Sequence, residues 1–400
     1  MDELIYAVWL SAKTGIKPLT KCRIFDLFKS FKDIYFCDTE KLKQIEGIRP
    51  SDIRALSDKD LKRAQDVMAY CGKSGITVID ITSSDYPERL KHIFDPPLVI
   101  YVKGRLPDID SAPVISVIGT RSADGYGLKV SADIAYEISL GGGIVVSGLT
   151  KGADAAAAEG ALASGRPLAA VLGTSHDRCT SALARQVEKC GALISEYPPG
   201  TEANKSFFRA RNRIAAGISV GVVVTQAPEN SGTKLFAQEA AEQGKDIFVV
   251  PGNVDSENSA GIYELMRDGA QPVINGRDVL REYLYAFPGK IFLETAGSAV
   301  RPKSPVQNSR EKPVKKTRMK TSVSPSAPAP VTAPAPCAVR LDGLNEKQRA
   351  AAECLADGPK FVEEIMYSTG IPVNELLSML TLLEIKGVVK RNADGRYSIK

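Results

Sequence analysis

Residues 115–121, Ile-Ser-Val-Ile-Gly-Thr-Arg, run from a short apolar segment through a glycine to an arginine. The apolar part is rich in β-branched side chains and lies between a proline and a glycine, which predicts a buried strand of a parallel sheet. Ligands of open α/β sheets bind at the carboxyl ends of the strands, so Gly119, Thr120 and Arg121 are expected at the binding edge. Glycine there would let backbone N–H groups approach a phosphate.

The alternation of strand and helix continues to about residue 285. Strands are predicted at 115–118, 144–147, 168–172, 192–194, 220–224 and 247–250, with helices between them, the first at about 128–140. This order predicts an α/β fold with a Rossmann-like, doubly wound parallel sheet and right-handed crossovers.

The residues at the strand ends argue against a dinucleotide-dependent enzyme. No GxGxxG follows the first strand, and the second ends at Ser147-Gly148, where a ribose-binding acid would be expected. A Walker A loop is missing as well. Residues 173–177, Gly-Thr-Ser-His-Asp, resemble a nucleophile elbow only in part, because Asp177 stands where the last glycine belongs.

Small residues with backbone donors end several strands instead: Gly119-Thr120, Ser147-Gly148, Gly173-Thr174, Ser231-Gly232-Thr233 and Pro251-Gly252. Cationic, amide and aromatic residues accompany them: Lys151, Lys205, Phe208, Arg211, Asn212 and Arg213. Cations neutralise phosphates, and an aromatic face stacks a base for about 1–3 kcal/mol. The combination predicts a groove for single-stranded nucleic acid with Phe208 as the stacking face. The alternative is that both Phe207 and Phe208 are core residues and the arginines are surface charges.

Composition predicts a soluble, cytoplasmic protein of two or three domains. The chain has 400 residues, 44% apolar and 25% charged, with neither a signal peptide nor a long apolar run. Eight Lys/Arg face one Glu within residues 301–320, so the rest of the chain is net negative although the whole carries +5. A polyanion site must therefore be a local patch. Seven cysteines without a CxxC pair and two histidines argue against a metal site, and no cofactor is expected.

Four regions are predicted along the chain. They are a helical domain at 1–80, the Rossmann-like core at 81–290, a Pro/Ala-rich basic linker at 291–338 and a winged helix at 339–400. Residues 42–56 have the spacing of a helix-hairpin-helix, as in domains of the SAM/HhH type, but Arg49 replaces its second glycine; an ordinary helical pack is the alternative.

The winged helix is predicted from three helices and a terminal hairpin. The helices lie near 345–355, 362–369 and 373–386, and the hairpin strands at 388–391 and 396–399. The third helix carries two acidic residues and one basic residue, whereas helices that read bases in the major groove generally present Arg, Lys, Asn or Gln. A contact with another protein is therefore at least as well supported for this helix as base recognition.

Taken together, these segments resemble the DprA or Smf family of DNA-processing proteins. The resemblance is carried, in order, by Tyr86-Pro87, Asp95-Pro96-Pro97, Gly119-Thr120-Arg121, Ser147 through Asp154, Ser195-Glu196-Tyr197-Pro198, Arg211-Asn212-Arg213, Ser231-Gly232-Thr233, Val250-Pro251-Gly252 and Gly269-Ala270. It implies an extended Rossmann-like core that binds and protects single-stranded DNA, forms homodimers and helps to load the RecA recombinase in natural transformation, without catalysis.

Pattern and resemblance together give the expected DNA-binding residues. They are Gly119, Thr120, Arg121, Ser147, Gly148, Lys151, Lys205, Phe208, Arg211, Asn212, Arg213, Ser231 and Gly232.

The chain departs from the family pattern at several positions. Lys151 replaces an arginine and keeps the charge without the bidentate fork. Ala158 replaces a histidine, which removes the titratable candidate on that helix. Arg209 stands where the family has a proline after Phe208, and it either adds a phosphate contact or only alters the turn.

Two rival functions remain open. A nucleotide-processing phosphoribohydrolase would place a catalytic glutamate three residues after Thr233, but that position is Phe236, and Glu239 would project from another helix face. A DNA-maintenance or defence adaptor of the same family, working through the winged helix and linker, is the other rival.

Overall fold

A computed structural model describes residues 2–294 except residue 14, and residues 346–399 except 356–357, 386–387 and 393–395. The chain divides into two units, Met1–Asn308 and Ser309–Lys400. The basic run at 301–320, most of the predicted linker and Cys337 lie outside the described residues. The finer domain boundaries given above stay predictions.

The first unit begins with six helices: α1 (Asp2–Ala12), α2 (Pro18–Phe28), α3 (Phe31–Phe36), α4 (Thr39–Leu42), α5 (Pro50–Ser57) and α6 (Lys62–Ser74). They pack around Trp9, whose Nε1 donates to the Asp58 carbonyl at 3.1 Å. Arg49, the departure from the hairpin pattern, pairs with Asp52 at 2.7 Å and donates to the Gly15 carbonyl. Its guanidinium therefore anchors the start of α5 within this domain.

A nine-stranded, mostly parallel sheet forms the core of the first unit. Its strands are β1 (Ile76–Asp80), β2 (Val99–Gly104), β3 (Val114–Ile118), β4 (Ile144–Ser147), β5 (Leu168–Leu172), β6 (Ala192–Ser195), β7 (Gly221–Val224), β8 (Asp246–Val249) and β9 (Gln271–Pro272). The order is β1-β2-β6-β5-β4-β3-β7-β8-β9. The predicted doubly wound sheet is confirmed, because its parallel part starts at β3 in the middle and extends through β4, β5 and β6 on one side and through β7, β8 and β9 on the other.

The strands missed by sequence reasoning lie at the sheet's two edges. β1 pairs antiparallel with β2, and β2 pairs antiparallel with β6, which extends the parallel sheet on one side. β9 adds two residues beside β8 on the other side. Residues 76–80 were assigned to the helical domain, and the structure corrects this assignment: they form a β-branched edge strand.

Helices cover both faces of this sheet. They are α7 (Glu88–Lys91), α8 (Gly125–Leu140), α9 (Ala153–Ala163), α10 (Ala182–Cys190), α11 (Ser206–Ile218), α12 (Gly232–Glu242), α13 (Ala260–Arg267) and α14 (Gly276–Arg281), with short 3-10 turns at His176–Arg178 and Glu257–Ser259. α8 begins three residues before its predicted start because the Asp124 carboxylate accepts from the Gly127 amide at 2.9 Å. Ala158 is fully buried in the apolar core, so that departure serves packing.

The second unit has the predicted winged-helix elements. They are α15 (Glu346–Cys354), α16 (Val362–Thr369), α17 (Val373–Ile385), β10 (Val389–Arg391) and β11 (Tyr397–Ile399). The two strands pair antiparallel, and the helices bury a compact apolar core that includes Leu376 and Leu380. Among the described residues, no helix combines the length and apolar character needed to cross a bilayer.

Candidate nucleic-acid interface

A cleft of about 430 Å³ lies at the carboxyl ends of β3 and β4, between the first turns of α11 and α12. We call it the α11–α12 cleft. Its lining includes Gly119, Thr120, Arg121, Ser147, Gly148, Thr150, Asp154, Lys205, Phe208, Arg209, Arg211, Asn212, Ser231, Gly232, Thr233, Leu235 and Phe236. The cleft combines cations, two aromatic rings and the start of α12, whose helix dipole favours an anion.

The floor of the cleft is tightly built around Asp154. This carboxylate is buried, accepts from the Thr150 hydroxyl at 2.8 Å and lies 3.4 Å from the Gly119 amide nitrogen. Burial raises the pKa of Asp154, while the positive charge of Arg211 opposes the rise. A Cβ on Gly119 would lie 2.5 Å from the Ala153 side chain, so only glycine fits this turn.

The predicted use of the Gly119 and Thr120 amides for a phosphate is not met. The Gly119 N–H points at Asp154, and the Thr120 N–H donates to the Gln226 carbonyl at 2.9 Å. Backbone donors after buried strands are satisfied internally whenever an acceptor is within reach. The turn therefore positions Arg121, while side chains supply the positive charge of the cleft.

Arg211 is a buried arginine at the back of the cleft. Its Nη1 donates to the Val171 carbonyl at 2.8 Å, and its Nε is buried without an acceptor in the described part of the chain. A Cβ on Gly148 would lie 1.9 Å from Nη1, so the guanidinium can occupy this position only because residue 148 has no side chain. A buried guanidinium with an unused N–H donor is stabilised when an anion accepts a hydrogen bond from it.

Phe207 and Phe208 face different neighbours. Phe207 stacks on Tyr197 with the ring centroids 3.8 Å apart, whereas Phe208 lines the cleft half-buried. The guanidinium carbon of Arg121 lies 5.4 Å from the Phe208 centroid. A base entering the cleft would meet an aromatic face and a guanidinium together.

A family model described as DNA recombination-mediator protein A matches residues 77–284, and a model of the DprA winged helix domain matches residues 327–395. The chain belongs to the DprA/Smf family. A DNA processing protein DprA from Bacillus subtilis is 36% identical over 220 residues, covering 54% of this chain and 74% of that protein. A protein Smf from Synechocystis is 29% identical over 407 residues, covering 99% of this chain and 98% of that protein.

Solved structures agree with this assignment. The chain is similar to the X-ray structure of DprA from Streptococcus pneumoniae, with a TM-score of 0.59 and 28% identity, over 70% of this chain and 97% of that one. The family and the fold class are thus established.

Two of the residues predicted for the interface lie outside the cleft of this DprA/Smf chain. Lys151 is exposed on the turn before α9 and is not part of the cleft lining. Arg213 is buried, with its Nη2 2.7 Å from Glu196 and its Nε 3.1 Å from Asp95. Its expected role as a DNA contact is corrected, because two carboxylates already occupy its guanidinium. The alternative reading of the arginines as surface charges is wrong for Arg211 and Arg213, since both are buried.

Ser147 and Ser231 shape the cleft through local hydrogen bonds. The Ser147 hydroxyl donates to the Asp154 carbonyl at 2.8 Å and accepts from the Leu149 amide. Ser231 caps α12 by accepting from the Lys234 amide at 3.3 Å. Both side chains are engaged in building the turns.

Sequence reasoning gave Asp154 no role in the site. In the sequence, Asp154 stands out only as part of the family pattern, although an acid in the first turn of a helix after a glycine turn is a recognisable signal. Leu235 and Phe236 were missed as cleft lining, because apolar residues on an amphipathic helix are assigned to the core.

The residues that suggested an enzyme are engaged elsewhere. Ser175 is buried and donates to the Thr201 carbonyl at 3.3 Å, while His176 Nε2 lies 2.9 Å from the Tyr101 carbonyl oxygen. Phe236 lines the cleft where a phosphoribohydrolase would need glutamate. Glu239 faces a neighbouring groove and pairs with Arg209.

Proposed function

We propose that this protein binds single-stranded DNA in the α11–α12 cleft, protects the strand in the cytoplasm and passes it to a RecA recombinase, without making or breaking a covalent bond. It would act as a homodimer during natural transformation. Membership of a family described as recombination mediators supports this proposal.

The observation that carries the proposal is Arg211 at the back of the cleft. Its buried Nε has no acceptor among the described residues, and Arg121 and Lys205 add exposed charge at the rim. A phosphate entering the cleft would offer an acceptor to the Arg211 guanidinium and add to the negative charge of Asp154, which compensates Arg211 only in part.

Phe208 favours an unpaired strand over a duplex. Its ring can stack only on a base that has left a helix, because the faces of paired bases are covered by their neighbours. Contacts between cationic side chains and phosphates alone would bind single-stranded and duplex DNA alike.

A fluorescence anisotropy titration with labelled oligothymidine tests the proposal. We expect Arg121→Ala to weaken binding about three- to tenfold and to reduce the salt slope by about one. Arg166→Ala, which removes an exposed arginine before β5 at the opposite end of the strands, is the matched control and should behave as wild type. Equal affinities and slopes for all three proteins would remove the cleft as the binding site.

Competition and turnover assays test the remaining parts. Unlabelled single strands should displace the probe at far lower concentration than duplex of the same sequence, at two salt concentrations. Nucleoside monophosphates incubated with the protein should release no free base.

RecA filaments should form faster on single strands that carry this protein than on bare strands. An unchanged rate of filament formation would contradict the proposed handover to RecA.

A further inference from the structure

Arg209 sits on the boundary between the α11–α12 cleft and a second groove. It lines both cavities, and the second one, of about 930 Å³, is also lined by the acids Asp95, Glu239 and Glu242. We call the second cavity the outer groove. A side chain on such a boundary can serve either cavity by changing rotamer.

Arg209 is paired with Glu239. Its Nε lies 3.1 Å from Glu239 Oε1, which joins α11 to α12. The Arg209 side chain is 72% exposed and the Glu239 side chain 23%. An ion pair with one partner so exposed stabilises by only about 0–1 kcal/mol, so little holds the arginine in place.

Glu239 is an incomplete partner for that guanidinium. Its Oε2 is buried and has no donor in the described part of the chain, and the pair uses a single nitrogen. Burial raises the pKa of Glu239, and Glu242 and Asp95 act in the same direction, against the charge of Arg209. A phosphate offers a bidentate, charge-assisted contact instead, which is a stronger one.

We propose that Arg209 is a further phosphate-binding residue of the α11–α12 cleft, and that Glu239 withholds it until a DNA strand arrives. This inference rests on the proposed function. On binding, the guanidinium would leave Glu239 for a phosphate oxygen, with no covalent change.

A double-mutant cycle in the full-length chain tests the inference, with oligothymidine affinity read by anisotropy at two salt concentrations. Arg209→Ala should weaken binding and reduce the salt slope by about one. Glu239→Gln should tighten binding about two- to fivefold by releasing the arginine. The double variant should bind like Arg209→Ala alone, because Glu239 acts only through Arg209.

Glu242→Gln is the matched control. It removes an exposed acid from the same helix and the same groove, away from the ion pair, so it should change affinity less than Glu239→Gln does. If both glutamine variants bind DNA equally more tightly, the loss of any nearby negative charge explains the effect, and the inference is overturned. An unchanged Glu239→Gln protein, or tightening that persists in the Arg209→Ala background, would also overturn it.

Failure of the inference is distinguishable from failure of the proposed function. If Arg121→Ala weakens binding while the Arg209 and Glu239 variants match wild type, the cleft binds DNA without Arg209. If the Arg121 variant is also unchanged, the cleft itself is the wrong site. Thermal melting of each variant checks that the fold is kept.

Discussion

At the scale of single residues, Gly148 and Arg211 are fitted to each other. Arg211 can lie at the back of the cleft only because position 148 has no side chain. Arg213, two residues further along the same helix, makes ion pairs with two carboxylates instead. Two arginines of one helix thus differ: Arg211 lines the cleft, whereas Arg213 is held by ion pairs inside the fold.

Gly148→Ala should displace the Arg211 guanidinium and weaken oligothymidine binding by about tenfold or more, because the new methyl group would lie 1.9 Å from Nη1. Anisotropy measures the loss. Gly72→Ala is the control outside the cleft, on an exposed position of α6, since nothing lies within 4 Å of its added Cβ. Wild-type affinity of the Gly148 variant would show that the placement of Arg211 is irrelevant to binding.

Arg213→Ala should destabilise the fold by about 3–5 kcal/mol, because it leaves Glu196 and Asp95 partly buried without their cation. Urea denaturation measures the change. Arg209→Ala, which breaks the exposed pair, should cost no more than about 1 kcal/mol. A similar small loss for both variants would contradict the structural role assigned to Arg213.

At the scale of elements, the central strands and the helices between them were predictable, because β-branched runs and helical periodicity are local signals. The edge strands β1 and β9 were not, because a five-residue and a two-residue strand depend on neighbours distant in sequence. The position of the cleft was predictable, because ligands of parallel sheets bind at the carboxyl ends of the strands. The different roles of Arg211 and Arg213 were not predictable, because Glu196 and Asp95 come close to Arg213 only in the folded chain.

Helix α2 carries a partly buried lysine, Lys21. Lys21 donates to the Ser11 carbonyl at 3.0 Å, and burial lowers its pKa to about 8. Between that value and its ordinary 10.5 the unfolded chain keeps a proton that the folded chain has released. The free energy of unfolding should therefore rise with pH across this window.

Lys21→Met should lose this rise, which we expect to reach about 1–3 kcal/mol between pH 8 and pH 10. Urea denaturation at several pH values measures it against wild type. Lys17→Met, at the exposed residue before α2, is the control and should keep the wild-type slope. Parallel curves for wild type and the Lys21 variant would contradict the assigned burial.

At the scale of the whole molecule, two large apolar side chains are exposed in the segments that precede and follow α14, the first of them directly after the edge strand β9. Ile274 is 78% exposed and Tyr285 is 98% exposed, on either side of α14. Apolar groups beside a sheet edge favour association, which supports the proposed homodimer.

Ile274→Glu should shift the protein toward monomers in sedimentation equilibrium, because two like charges would meet across a symmetric contact. Leu27→Glu, at an exposed apolar residue of the helical domain, is the matched control and should leave the assembly unchanged. Identical assembly of the Ile274 variant and wild type would place the contact elsewhere.

We propose that a DNA strand enters the α11–α12 cleft and stacks on Phe208. Photo-crosslinking of an oligothymidine carrying 5-iodouracil, followed by peptide mass spectrometry, tests it most directly. We expect the major adduct on Phe208, and we expect it to be lost in Phe208→Leu. Adducts confined to the helical domain or the winged helix would contradict it.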